Sequence, residues 1–261
     1  MPDSIRKGPA DGMLTGYRFR PGWTTTLVFA LLLPVLIGLG FWQLDRAAEK
    51  TALRDRYAER GRMAPVNVNR QVPDAAGMDF RRAEARGRYL GDLTIYLDNK
   101  VLDGVPGYEI LTPLKISGSG TEGTRGILVN RGWIPWGESR RTLPEIDTPS
   151  GVLEVSGRLR APPRDYFTLA DEPEDGDLQP LWQNLDLERY ERATGLPVAP
   201  LVLELDPDAA GAGGFVRRWR DYDDVWIDRH KAYAVQWFAL ALTLVVLYVV
   251  LNLVKRKTEV P

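Results

Sequence analysis

The side chains able to do chemistry are few. The sequence holds one histidine, His230, and no cysteine. Thiol catalysis, disulfides and any metal site built on several imidazoles are thereby excluded. A Ser-His-Asp arrangement would have to recruit His230, and no nucleophile-elbow motif accompanies it. Gly211-Ala212-Gly213-Gly214 lacks the Lys-Ser/Thr that completes a phosphate loop, and reads as a linker. The acidic run 171–177 sets Pro173 and Trp182 at the third and twelfth positions of an EF-hand, where oxygen ligands are needed; it reads as a solvated loop. No catalytic set remains, and the chain is not expected to be an enzyme. With a formal net charge of -1, no nucleic-acid partner is expected either.

His230 directly precedes a long uncharged run. On a helix, His230, Tyr233, Ala234, Trp237 and Ala241 share one face. Neutral imidazole is a good axial ligand for haem iron. The small Ala side chains would leave room for a flat macrocycle, bordered by Tyr233 and Trp237. The same pattern fits an ordinary histidine above an aromatic belt and a helix-packing seam. Gln43 and Gln236 lie near the same ends of their two apolar runs, where an amide pair would add a helix–helix contact of about 1 kcal/mol. Gly38 and Gly40 would permit close approach of the helices. Packing is the plainer use of that pair, and ligand polarity the other.

The elements that must position these residues are two uncharged runs, 21–44 and 232–254. A mean hydropathy of -0.25 hides them, because the remainder is polar. About 20 apolar residues cross a hydrocarbon core of roughly 30 Å as a helix, and mid-bilayer charges cost several kcal/mol. Both runs are therefore expected to be transmembrane helices. The first is too long for a signal-peptide core and no small-x-small cleavage site follows it, so it reads as an uncleaved anchor. Pro34 inside it is tolerable because neighbouring groups can satisfy the freed carbonyl. Trp23, Trp42 and Trp237 suit interfacial anchoring. Cations before the first run and after the second favour cytoplasmic termini, but Arg46, Lys50, Arg229 and Lys231 stand on the loop side as well. Because long translocated loops are discounted, the charges lean towards an external central domain.

The expected layout is a tail at 1–20, a first span at 21–44, an extramembrane domain at 45–231, a second span at 232–254 and a tail at 255–261. Helix formers and Glu/Lys pairs at 45–60 continue the first helix out of the membrane. Pro65, Pro73 and Gly77 make 61–80 a loop. From about Glu84 the period becomes two. Short runs at 85–90, 93–97, 108–116, 126–130 and 152–159, separated by Gly, Pro and Asp, predict mostly antiparallel β structure, barrel-like or sandwich-like. Residues 185–193 predict a short helix stopped by Gly195 and Pro197, and 200–205 and 215–220 predict two closing strands.

Several segments together resemble the Surfeit locus protein 1 family. They are Gly40-Phe41-Trp42-Gln43-Leu44-Asp45-Arg46, Leu97-Asp98-Asn99-Lys100, Gly107-Tyr108-Glu109-Ile110-Leu111-Thr112-Pro113-Leu114 and the distinctive Leu128-Val129-Asn130-Arg131-Gly132-Trp133-Ile134-Pro135. Gly157-Arg158-Leu159-Arg160, Trp182-Gln183-Asn184-Leu185-Asp186 and the stretch from His230-Lys231-Ala232-Tyr233 to Ala241 complete the series. The resemblance covers about 20–254, in order and with the two-span layout.

It implies an assembly factor for haem-copper cytochrome c oxidase that assists delivery of haem a to the catalytic subunit. It also implies cytoplasmic termini and a periplasmic domain in a bacterial inner membrane. The family's histidine at the start of the second span maps onto His230, which would be an axial ligand of the haem iron. Tyr233, Trp237 and Arg229 would complete the haem site. Many members carry Asn-Asn or Asn-Asp before this histidine; here Asp228-Arg229 stands there, setting a cation where a haem propionate would lie. Lys231 or Arg46 would serve similarly, with the apolar tail in lipid or between the helices. The expected partners are the oxidase catalytic subunit, haem a biosynthesis and assembly proteins, and the bilayer. A second chain, in a homo-oligomer, or the oxidase subunit would supply any second histidine. Asn130-Arg131-Gly132-Trp133 match the family and are expected to be folding residues of a strand and its turn. A scaffold that steadies an oxidase intermediate without touching haem is the competing expectation, and a haem-modifying enzyme is disfavoured by the shortage of His and Cys.

Overall fold

The computed structural model describes residues 17–71, 73–116, 125–137, 142–163, 178–209, 214–219 and 224–255. The acidic run 171–177 and all of the glycine linker except Gly214 lie outside these residues. The chain divides into two compact units, Met1–Leu53 with Asp223–Pro261, and Arg54–Tyr222.

The first unit is built on a helical hairpin. Helix α1 (Trp23–Arg62) runs unbroken through Pro34 and beyond the first apolar run, and α4 (Asp224–Leu251) carries the second. Both are long and apolar enough to cross a membrane. Their outward surfaces are apolar too: Leu31 is 63% and Val235 68% exposed. A helix that is hydrophobic all round needs an apolar surrounding. Phe29, Leu33, Leu36, Gly40, Gln43 and Ala47, all among the less exposed residues of α1, recur at alternating steps of four and three, the seam pattern of paired helices. Phe29 stacks on Tyr248 at 4.2 Å, and Phe41 meets Phe238 edge-on at 5.4 Å, so the helices run antiparallel. Gly40 is what lets them approach: a Cβ there would lie 2.6 Å from the Phe238 ring. Gly38, expected to help, faces open space.

The other end of the hairpin is tied by Asn252. Its Oδ1 accepts from Gly22 N (3.0 Å) and Thr25 Oγ1 (3.2 Å), and its Nδ2 donates to Tyr248 O (2.7 Å). Strand β1 (Tyr17–Phe19) pairs antiparallel with β10 (Leu253–Lys255) beside it. Within the tail expected at 1–20, Tyr17–Phe19 form a strand, and the second apolar run ends in a strand rather than in helix.

The second unit contains β2 (Val66–Asn67), α2 (Ala75–Met78), β3 (Arg82–Tyr89), β4 (Ile95–Leu102), β5 (Val105–Ile116), β6 (Gly126–Pro135), β7 (Leu153–Arg160), β8 (Leu181–Trp182), α3 (Leu187–Thr194) and β9 (Val198–Leu205). Strands pair in the order β3-β7-β9-β6-β5, and β5 returns to β3 through Gly87↔Ile116 and Tyr89↔Leu114, which closes a barrel. Strand β4 pairs the first part of β5 and flares away, carrying β8 on its far edge. Most pairings are antiparallel, as expected, but β2–β3, β4–β8 and β6–β9 are parallel. Of the strand expected at 215–220, the described residues 215–219 make a single bridge, Val216 to Trp133.

Ala83, Ala85 and Tyr89 alternate inward on β3, joining Leu114, Val129 and Leu203 in the barrel core. A second cluster, including Leu111, Leu128, Trp182 and Tyr190, covers the outer face of β5 and β6. The first half of β6, Gly126 to Val129, is therefore buried on both faces and reads as an unbroken apolar run. Helix α3 supplies part of that cover. It is capped by the Asp186 carboxylate, which accepts from Arg189 N, and by Gly195 at φ 66°.

Between Asn130 and Gly132 the β5–β6 register slips, leaving Arg131 as the extra residue of a bulge. The Asn130–Trp133 segment is thus a strand and a bulge, where a strand and its turn were expected. Gly132 holds φ 128°, which L side chains rarely adopt. The bulge sends the Arg131 guanidinium into the interior at 0% exposure, where it donates to Asp147 O (2.7 Å) and Thr148 Oγ1 (3.2 Å). The Tyr89 and Phe215 rings lie 5.3 and 5.0 Å from it.

Two predictions follow from this packing. On β7, a Cβ at Gly157 would meet Glu204 O at 2.1 Å, so Gly157→Ala must push β9 away from β7. A loss on the order of 3 kcal/mol is expected in chemical denaturation followed by tryptophan fluorescence. On β9, burial pushes the Glu204 carboxyl up to about 7, despite Arg160 Nε at 3.4 Å, and Glu109 adds repulsion. Between the ordinary carboxyl value of 4.5 and about 7, the native state keeps a proton that the unfolded chain has lost. Glu204 therefore makes stability fall as pH rises through that window and level off above it. Glu204→Gln should flatten the dependence, with a gain on the order of 2 kcal/mol over wild type at pH 8 and little at pH 4.5.

Candidate functional site

The seam of the hairpin brings Gln43 and His230 together. Gln43 lies on the α1 stripe one turn beyond Gly40, where Phe238 packs closest. Its Oε1 sits 2.7 Å from His230 Nδ1. Both side chains are half-buried. His230 Nε2 has no partner among the described residues. The expected Gln43–Gln236 pair does not form. At about 100° per residue, Gln236 points about 120° away from His230 around α4, and it is exposed.

The same helical wheel sorts the other expected site residues. Ala234 and Ala241 lie on the flank of His230 shared with Phe238 and are buried at 1% and 6%. The room expected above these alanines is therefore filled by packing. Tyr233 and Trp237 fall on the opposite flank, within about 60° of His230. Trp226, one turn before His230, falls there too. Tyr233 is 51% and Trp226 56% exposed, so this flank presents an aromatic strip open to a flat ligand. Sequence reasoning missed Trp226 because it precedes the uncharged run; its i−4 spacing to His230 was the available signal.

The cations stand around the same level, each with an exposed neighbour. Arg229 lies over the Trp226 ring at 5.0 Å, and Lys231 Nζ is 3.9 Å from Asp228. Arg46 bonds Glu49 at 2.8 Å and lies 5.9 Å from the Trp42 ring. Exposed ion pairs such as Lys231–Asp228 and Arg46–Glu49 are worth little.

The β unit offers a different kind of site. A cleft of about 420 Å³ is lined by Glu109, Asn130, Arg160, Glu204 and Trp219 among others. Asn130 Nδ2 donates to Glu109 Oε2 at 3.0 Å. The carboxylate within the apolar Val198–Leu205 strand is its signal in the sequence. Among the described residues, no group of three or more His, Cys, Asp or Glu could hold a metal ion.

Comparison with known proteins agrees with this layout. The profile of the SURF1 family matches residues 30–242, which include Gln43, the whole β unit and His230. A SURF1-like protein of Drosophila melanogaster is 30% identical over 247 residues, covering 84% of this chain and 73% of its own. One from Rickettsia felis is 24% identical over 229 residues, covering 87% and 96%. The Surfeit locus protein 1 of Arabidopsis thaliana is 31% identical over 137 residues, 48% of this chain and 38% of that one. This chain belongs to the SURF1 family.

Proposed function

We propose that the chain is a membrane-anchored assembly factor for haem-copper cytochrome c oxidase, and that it holds haem a at His230 on the way to the catalytic subunit. The observation that carries this reading is a lone half-buried imidazole with one nitrogen engaged and the other uncommitted, beside an exposed aromatic flank. That donor suits an axial position on haem iron. Haem a, when bound, brings the iron that the oxidase needs, together with an apolar tail and charged propionates.

The chain's own residues divide the work. His230 Nε2 offers a lone pair, while Trp226, Tyr233 and Trp237 supply an apolar wall. Arg229, Lys231 and Arg46 stand at the end of the uncharged runs, where propionates would meet them. The hairpin's outward Leu and Val side chains face lipid and accommodate the tail. A single imidazole per chain is compatible with release, since any further iron ligand would have to come from a second chain or from the oxidase. The reading asks no catalytic step of this chain. The reading includes a bacterial inner membrane, cytoplasmic termini, a periplasmic β domain, and the oxidase catalytic subunit and haem a assembly proteins as partners.

The test is the visible spectrum of detergent-purified protein from haem-a-producing cells, wild type beside His230→Ala. A haem a signal in the wild type that is largely lost in a folded variant is expected. Equal haem in both, or none in either, would overturn the haem reading and favour a scaffold that steadies an oxidase intermediate through protein contacts alone.

A further inference from the structure

We infer that Gln43 is a positioning residue that fixes the His230 tautomer, keeping the proton on Nδ1 so that Nε2 is the atom presented for ligation. An amide oxygen only accepts, so the contact between Gln43 Oε1 and His230 Nδ1 at 2.7 Å requires Nδ1–H as donor. The proton count of a neutral imidazole then leaves a lone pair on Nε2, with no partner among the described residues. This runs against the intrinsic preference of a free histidine side chain, which favours Nε2–H, so the protein must impose it. The means is steric as well as polar. Gly40 lets α1 approach Phe238, and Gln43, one turn further along, is thereby delivered to the ring at hydrogen-bond distance.

A hydrogen bond on the far nitrogen is how ligating histidines are usually oriented, with a carboxylate, carbonyl or water as acceptor. Here an amide on the other apolar helix takes that place, so the ligand and the residue that aims it come from opposite ends of the chain. The consequence for iron rests on the haem reading above; the tautomer assignment does not.

His230 is the sole histidine, so full-length protein labelled with 15N-histidine reports a single imidazole. In haem-free protein in lipid bilayers at pH 8, 15N spectra should show Nδ1 protonated and Nε2 bare. Gln43→Leu should move the tautomer ratio roughly tenfold towards Nε2–H, equivalent to 1.4 kcal/mol. Gln43→Glu, which keeps an acceptor in place, should retain Nδ1–H. Finding Nε2–H in the wild type, or an unchanged ratio in a folded Gln43→Leu protein, would overturn the assignment. Haemin titrated into the same samples should bind roughly 10–100-fold more weakly to Gln43→Leu than to wild type. Nδ1–H in a wild type that takes up no haemin would sink the haem reading while upholding the role of Gln43.

Discussion

Inside a pair of apolar helices a polar side chain must find its partner across the seam, since lipid supplies none. Gln43 and His230 meet that requirement with one 2.7 Å hydrogen bond, and much of the hairpin is arranged around it. Gly40 sets the approach distance, and the stepped stripe on α1 sets which residues face α4. Asn252 and the small β1–β10 sheet tie the far end. With both ends tied, sliding by one turn would strand Gln43, His230 and Asn252 together. Polar groups thus fix the register of a contact whose apolar residues alone would tolerate several.

The β unit solves a different problem. A five-strand circuit must bend its strands sharply, and it does so where side chains are missing or displaced. Gly157 and Gly87 let backbone carbonyls approach within 2.1–2.2 Å of where a Cβ would stand. The Arg131 bulge turns a guanidinium into the interior between two rings. Outside the circuit, α3 and β8 cover β6, leaving the cleft at Glu204 where that cover ends.

The apolar runs, most of the β segments along the chain and the Gly195 stop of α3 were readable in the sequence, because each rests on local patterns of charge, period and turn residues. The lone His230 was equally visible. What escaped depends on distant geometry. The parallel β6–β9 pairing joins segments with no shared signature, and a one-residue slip at Arg131 leaves no trace in hydrophobic period. The segment at 215–220 looks like a strand, but Arg217 and Trp219 spend their side-chain donors on Arg131 O and Leu205 O, and only Val216 bridges to Trp133. Gln43 was matched with Gln236 because both lie at similar depth. Azimuth on α4 decides the partner, and azimuth needs the helix packing.

The haem role proposed for His230 is tested most directly by the haem a content of the oxidase catalytic subunit in cells. Cells lacking this chain would be supplied with wild type or His230→Ala at equal membrane levels. The account expects wild type to restore haem a in the subunit and His230→Ala to leave it near the level of the deletion. Full restoration by His230→Ala would contradict the account, and would place the chain's role in protein contacts instead.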